Sequence, residues 1–180
     1  VRKEKGEKFN ALAGLGPKYE LIYVLGEERD LIRLRTEHYD SDVYVFPTVA
    51  SAVQARQLFA DLVGRMNELI TQPEFYNLLT NNCTTNIRDH VNRLSPDRLR
   101  SSWQVLLPGF SAEYAYENGL LDNRIPFEDL ESIAYVNDLA EEHFEDPQFS
   151  QLIRGKRYKI ERYLARQLQR EPTLRPNAVR

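Results

Sequence analysis

Apolar and polar positions follow two different rhythms along this chain. Between Tyr19 and Phe46 three short runs, YELIYVL, DLIRLRT and VYVF, are separated by the polar stretches GEER and EHYDSD. Short β-rich runs bounded by polar residues predict three strands, the first two forming a hairpin. Leu21 to Leu25 is apolar without alternation and suits a central strand. Arg33 and Arg35 alternate with Ile32 and Leu34 as on a half-exposed one. Val1 to Glu4 reads as the tail of another strand, and Phe9 to Gly16, broken by Ala13, Gly14 and Gly16, as a loop.

From Ser51 the rhythm changes to helical. Ala55, Leu58, Phe59, Leu62, Met66, Leu69 and Ile70 recur at spacings of three and four, Ser51 is placed to cap the start, and Pro73 ends the run. The resulting stripe is expected to face the sheet. A second helix starts near Asn82 and closes before Pro96, with Cys83, Ile87, Val91 and Leu94 on one face. Further helical stretches run from Ser111 to Asn118, stopped by Gly119, from Pro126 through Phe127, Leu130, Ile133, Ala134 and Val136, and from Tyr158 to Gln169. The pattern divides into a core over residues 1–125, an α+β arrangement of a small antiparallel sheet against helices, and a helical extension over 126–180. The last ten residues, EPTLRPNAVR, read as a loose tail.

Composition narrows the functional classes. With 42% hydrophobic and 28% charged residues the 180-residue chain is of ordinary globular character. Its net charge of −3, with basic residues read as scattered among acids, argues against nucleic acid as a partner. No apolar run reaches the roughly 20 residues of a transmembrane helix, and no signal-peptide pattern is present. The start at Val1, inside a charged segment, reads as an interior position of a longer protein.

The chemistry centres on Cys83, the single cysteine. At a helix start, unpaired N–H groups and the helix dipole favour the thiolate, and the same N–H groups can hold an oxyanion. Asn82 or Thr84 can cap this start, and Asn81, Thr85 and Asn86 make the segment unusually polar for a helix that docks on a core. A lone cysteine sharing a face with Ile87 and Val91 is also what a small buried hydrophobe looks like, and composition alone favours that reading.

A thiol nucleophile needs a base, and the three histidines offer no clear one. His90 is about 10 Å along the axis from Cys83 and reads as a packing or capping residue. His38 falls in a polar loop, and His143 in the acidic stretch EEHFED, a solvated face. Arg33 and Arg35 on one strand can hold a carboxylate or phosphate, although pairing with nearby acids is the plainer reading. Glu141, Glu142 and Glu145 beside one histidine do not make a metal set. Trp103, followed by LLPGF, reads as core. No cofactor motif stands out.

The blocks RKEKGEKF, YELIYVLGEERDLIRLRT, NNCTTNI and VLLPGFSAEYAYENGLLD, in this order, resemble the Lnb N-terminal periplasmic domain family. That family is similar to circularly permuted papain-like proteins of the NlpC type, in which an Asn-Cys pair opens a helix and the histidine comes earlier on a strand. The resemblance implies Cys83 as nucleophile, with Asn82 shaping the turn before it; the residue-level reading adds Asn81, Thr84, Thr85, His90, Arg33 and Arg35 as candidate substrate-binding or supporting residues. It places the catalytic histidine upstream of Val1, with His38 or His90 as substitutes. It further implies a bacterial, periplasmic or envelope location and a lipid, lipoprotein or peptide substrate. The activity implied is acyl transfer or hydrolysis through a thioester, in a family associated with lipoprotein N-acylation. A cell-wall peptidase or amidase, and a non-catalytic lipid- or peptidoglycan-binding module, are the alternatives.

Overall fold

In the computed structural model the described residues are 1, 10–95, 99–100, 102 and 108–170. A 3-10 turn, Ala13–Leu15, precedes α1 (Glu28–Arg33), which runs on into a π-helical turn, Leu34–His38. Then follow α2 (Ala52–Thr71), α3 (Cys83–Leu94), α4 (Ser111–Glu117), α5 (Phe127–Ala134), α6 (Asn137–His143), α7 (Phe149–Leu152) and α8 (Tyr158–Arg170). The chain forms two compact units, Val1–Leu25 with Val49–Leu120, and Gly26–Thr48 with Leu121–Arg180. No helix among the described residues is long and apolar enough to cross a membrane.

The expected α+β fold with an antiparallel sheet is not what forms: the described residues contain isolated β-bridges and no strand. The run DLIRLRT is helical. Glu28 and Asp30 sit in the first turn of α1, where their charge favours the dipole, and Leu and Arg are good helix formers; Ile32 alone is buried. The alternation of Arg33 and Arg35 with Ile32 and Leu34 therefore marks no strand face. YELIYVL pairs only briefly, the Leu21 N–H donating to the Glu74 carbonyl at 2.8 Å and the Tyr76 N–H to that of Tyr19 at 2.7 Å. Past that pairing Val24 and Leu25 are exposed, so the run is not a central strand. VYVF makes a single bridge, Tyr44 opposite Tyr135, because the chain on either side of Tyr135 coils into α5 and α6.

The helices follow the sequence more closely. Ser51 caps α2 through a capping box with Gln54 (Gln54 N to Ser51 Oγ 3.2 Å, Ser51 N to Gln54 Oε1 2.9 Å). With no sheet to meet, the α2 stripe buries no residue fully; Leu69 touches the cluster of Tyr19, Leu21 and Tyr76, while Phe59 and Ile70 are exposed. Gly119, at φ +68°, ends α4 in the left-handed conformation that glycine adopts freely. The expected helix after Pro126 ends at Ala134, and Val136 begins a separate turn into α6. The readings of Val1 to Glu4 as a strand tail, of Phe9, of Trp103 and of the final ten residues fall wholly or mainly outside the described residues.

The second unit has the stronger core. Ile32, Val136, Ala140, Phe144, Phe149 and Ile153 form one buried cluster, with Phe144 and Phe149 stacked at 5.6 Å. Arg33 lies 4.5 Å over the Phe144 ring and Arg29 5.4 Å over Phe149, their cations covering the aromatic faces. Arg154 binds Glu28 through both Nη atoms, at 2.9 and 2.5 Å, tying α1 to the chain after α7.

Phe149→Ala is expected to lower stability by about 3–5 kcal/mol in urea unfolding, from the lost burial and the cavity left behind. Phe59→Ala, at a position 55% exposed, is expected to cost less than about 1 kcal/mol.

Candidate functional site

The segment from Asn77 to Asn86 builds the start of α3 out of asparagine and threonine side chains. Asn77 Oδ1 accepts the N–H groups of Leu79 and Thr80 at 2.9 and 3.0 Å, closing the turn before the helix. Asn82 caps the helix, its Oδ1 accepting the Thr85 N–H at 2.8 Å while Thr85 Oγ1 accepts the Asn82 N–H at 2.8 Å. Asn82 Nδ2 donates to the Leu78 carbonyl at 2.7 Å, so a side chain only 1% exposed leaves no polar atom unpaired.

Cys83 is the first residue of α3 and is exposed, its sulfur 3.8 Å from Thr84 Oγ1. Composition favoured a thiol buried with Ile87 and Val91; instead Cys83 and Ile87 are exposed, Ile87 at 58%, and Val91 is half-buried. The buried side of α3 is its polar one, Asn82, Thr85 and His90. Such a face can be buried only if each donor and acceptor on it is met.

It is met by residues that lie far off in sequence. His90 Nδ1 is 2.5 Å from Asp61 Oδ2 on α2, and Nε2 is 2.9 Å from the Tyr23 hydroxyl. Tyr23 Oη also lies 3.0 Å from Asn86 Oδ1. The Asn86 amide nitrogen is spent on Asn81 Oδ1 and the Asn82 carbonyl, both at 2.8 Å, so its oxygen must face Tyr23. Burial pushes the Tyr23 phenol above its ordinary value, and its single proton goes to Asn86 only if His90 donates from Nε2. At Nδ1 the ring meets both Asp61 Oδ2 and Arg93 Nη2. Arg93 Nη2 lies 2.8 Å from that nitrogen, and Asp61 accepts from Arg93 Nε at 3.0 Å. These contacts join Asp61, His90, Tyr23, Asn86 and Asn82 in one chain, which ends at the cap of the cysteine helix.

A second chain meets it at Asn81. Arg65 donates to Glu74 Oε2 at 2.7 Å, and Asn81 Nδ2 donates to the same oxygen at 3.1 Å. The hydrogen bond from Arg65 holds the Glu74 carboxyl below the usual range. Beside the thiol, burial raises the Tyr76 phenol, and the charge of an ionised Cys83 reaches it and adds to the rise.

Asn81, Asn82, Cys83, Thr84, Thr85 and His90 are therefore gathered on one helix start and one helix. Both ring nitrogens of His90 are engaged, Nδ1 with Asp61 and Nε2 with Tyr23. Arg33, Arg35 and His38 belong to the other unit. There Arg33 meets Glu145 at 2.6 Å and Glu37 at 3.4 Å, Arg35 lies over Tyr39 at 5.4 Å, and His38 packs edge-on to Tyr39. His143 is 3.9 Å from Glu142. No group of three or more His, Cys, Asp or Glu fit to hold a metal occurs among the described residues. Sequence reasoning passed over Asp61, Tyr23, Arg65 and Tyr76. Asp61 lies off the apolar stripe of α2, about 60° beyond its edge, and carried no signal in the sequence.

Burial pushes the Asp61 carboxyl up, but hydrogen bonds from His90 and Arg93 outweigh it and hold the group below its ordinary value. A depressed carboxyl contributes stability that is present above the unfolded value near 3.9 and lost as pH falls through the lower folded one. Asp61→Asn is expected to flatten this acid limb in denaturation measured against pH. At neutral pH it is expected to cost about 1.5–3 kcal/mol, the range for a hydrogen bond to a charged group. Asn82→Ala is expected to cost about 2–3 kcal/mol from the lost cap and the donors left buried, whereas Cys83→Ala changes stability little.

Comparison with known proteins agrees with the blocks seen in the sequence. No curated protein and no solved structure matches the chain. The Lnb N-terminal periplasmic domain family matches residues 1–109 of the 180, a span that holds the Asn77–Asn86 turn, Cys83 and all of α3. The chain belongs to the Lnb N-terminal periplasmic domain family.

Proposed function

We propose that this domain serves the bacterial cell envelope as a thiol acyltransferase or hydrolase with Cys83 as its nucleophile. One observation carries the reading: the only thiol of the chain is exposed at the first position of a helix whose start is fixed by a buried, fully bonded asparagine. Free cysteines are usually buried, and nothing in the packing of α3 calls for a sulfur there.

The chemistry follows from that position. The Cys83 thiolate attacks an ester or amide carbonyl, the C–S bond forms, the carbonyl's bond to oxygen or nitrogen breaks, and the leaving group takes a proton from solvent. N–H groups of the first turn of α3 are free to stabilise the oxyanion, since helical bonding leaves them unpaired, apart from that of Thr85, which Asn82 holds. The thioester is then attacked by an amine or by water, which breaks the C–S bond and returns the thiolate. Lipoprotein amines and diacyl lipids are the substrate class the family suggests. Cell-wall peptides pass through the same thioester.

The test is trapping of the acyl group. Incubation with an activated acyl ester is expected to add one acyl mass to the chain, at Cys83 by peptide mapping, removable by neutral hydroxylamine and absent in Cys83→Ala. Acyl transfer that persists in Cys83→Ala, or a protein that binds lipid or peptidoglycan fragments with no adduct under any donor, would overturn the assignment in favour of a binding module.

A further inference from the structure

The charges of this chain are not evenly mixed. Residues 154–180 carry nine of the 24 Lys and Arg but only Glu161 and Glu171 of the 27 acids, a net of +7, which leaves −10 on residues 1–153. The expectation of basic residues scattered among acids therefore fails over this last segment.

Within it, Lys159, Arg162 and Arg166 fall at i, i+3 and i+7 on α8, an arc of about 60° at 100° per residue. Ile160 is buried on the far side, 5% exposed, and Glu161 lies on another face. The three cations line an open groove of about 380 Å³ between α5 and α8, floored by Ile125 and Ile133. Tyr158 and Tyr163 flank the cationic arc at its two edges, and Asp129 is the single carboxylate in the lining. Elsewhere in this unit three arginines are held by acids, Arg154 by Glu28, Arg124 by Asp122 and Arg33 by Glu145. Lys159, Arg162 and Arg166 make no ion pair among the described residues.

Three cations on one arc, without an ion pair among the described residues, match an array of anionic oxygens, and guanidinium groups match phosphate in particular. A free phosphate is held by an enclosing set of donors; this groove is open, has an apolar floor and is rimmed by tyrosines, whose rings suit the boundary between headgroups and water. We propose that the α5–α8 groove docks on an anionic phospholipid surface, with Lys159, Arg162 and Arg166 on headgroup phosphates and Tyr158 and Tyr163 at the interface. The proposal does not depend on Cys83.

The test is sedimentation of the full chain with phosphatidylcholine vesicles with and without phosphatidylglycerol. Binding is expected only with the anionic lipid. The triple variant Lys159→Gln/Arg162→Gln/Arg166→Gln is expected to lose about 100-fold in affinity, roughly fivefold per charge, and Lys159→Gln alone about fivefold. Arg56→Gln, on α2 in the other unit, is expected to bind as the parent does. A triple variant of the same charge, Arg170→Gln/Arg175→Gln/Arg180→Gln, must lose less than the groove variant; an equal loss would show a diffuse charge effect and overturn the groove. Equal binding to neutral vesicles would overturn the proposal too, as would displacement by millimolar inorganic phosphate, which marks a site for a soluble anion.

Discussion

The capping of α3 by Asn82 is the interaction on which the candidate site depends. One buried amide accepts the Thr85 N–H and donates to the Leu78 carbonyl, while its backbone carbonyl receives the Asn86 side chain. These bonds fix where the helix begins, and therefore that the next residue, Cys83, occupies its first position with its sulfur outside. A shift of one residue would swing each side chain of the helix by about 100° and carry the thiol to another face. Asparagine is suited to this place because it has both a donor and an acceptor; aspartate would cap the helix but leave the Leu78 carbonyl without its donor.

From that cap the network runs inward through Asn86 and Tyr23 to His90 and Asp61. It stands in for the apolar contacts that would ordinarily dock a helix of this length. Burying polar groups is costly unless all are bonded, so the arrangement holds firmly in one geometry and poorly in any other. A helix held in this way has little freedom to roll, which suits a reactive group that must keep one orientation.

Much of the helical structure was legible in the sequence, and the reason is local. Ser51 with Gln54, Asn82 with Thr85, and Gly119 act within a few residues of themselves, and α2, α3, α4 and α8 begin and end close to where such signals put them. The strands were misread because β structure depends on a partner that a run of apolar residues cannot name. YELIYVL finds only the short stretch at Glu74–Tyr76, and DLIRLRT, with acids at its start, is better served by a helix. The site divides along the same line. Cys83 at a helix start was readable, as was the cap; the pairing of His90 with Asp61, 29 positions away, and with Tyr23, 67 away, was not. The outward turn of Ile87 was also hidden, since the helical wheel tells which residues share a face and not which face the fold will bury.

The arrangement of α3, with Asn82, Thr85 and His90 inward and Cys83 and Ile87 outward, bears on how its sequence can diverge. Ile87 and its outward neighbours are exchangeable one at a time, because each contributes little beyond its own helix propensity. Asn82, Asn86, His90, Tyr23 and Asp61 form a linked set in which a change at one member strands the others, so workable departures require paired or multiple replacements. Two descendants of this chain would then differ freely at the positions that look like core on paper and agree at those that look like surface.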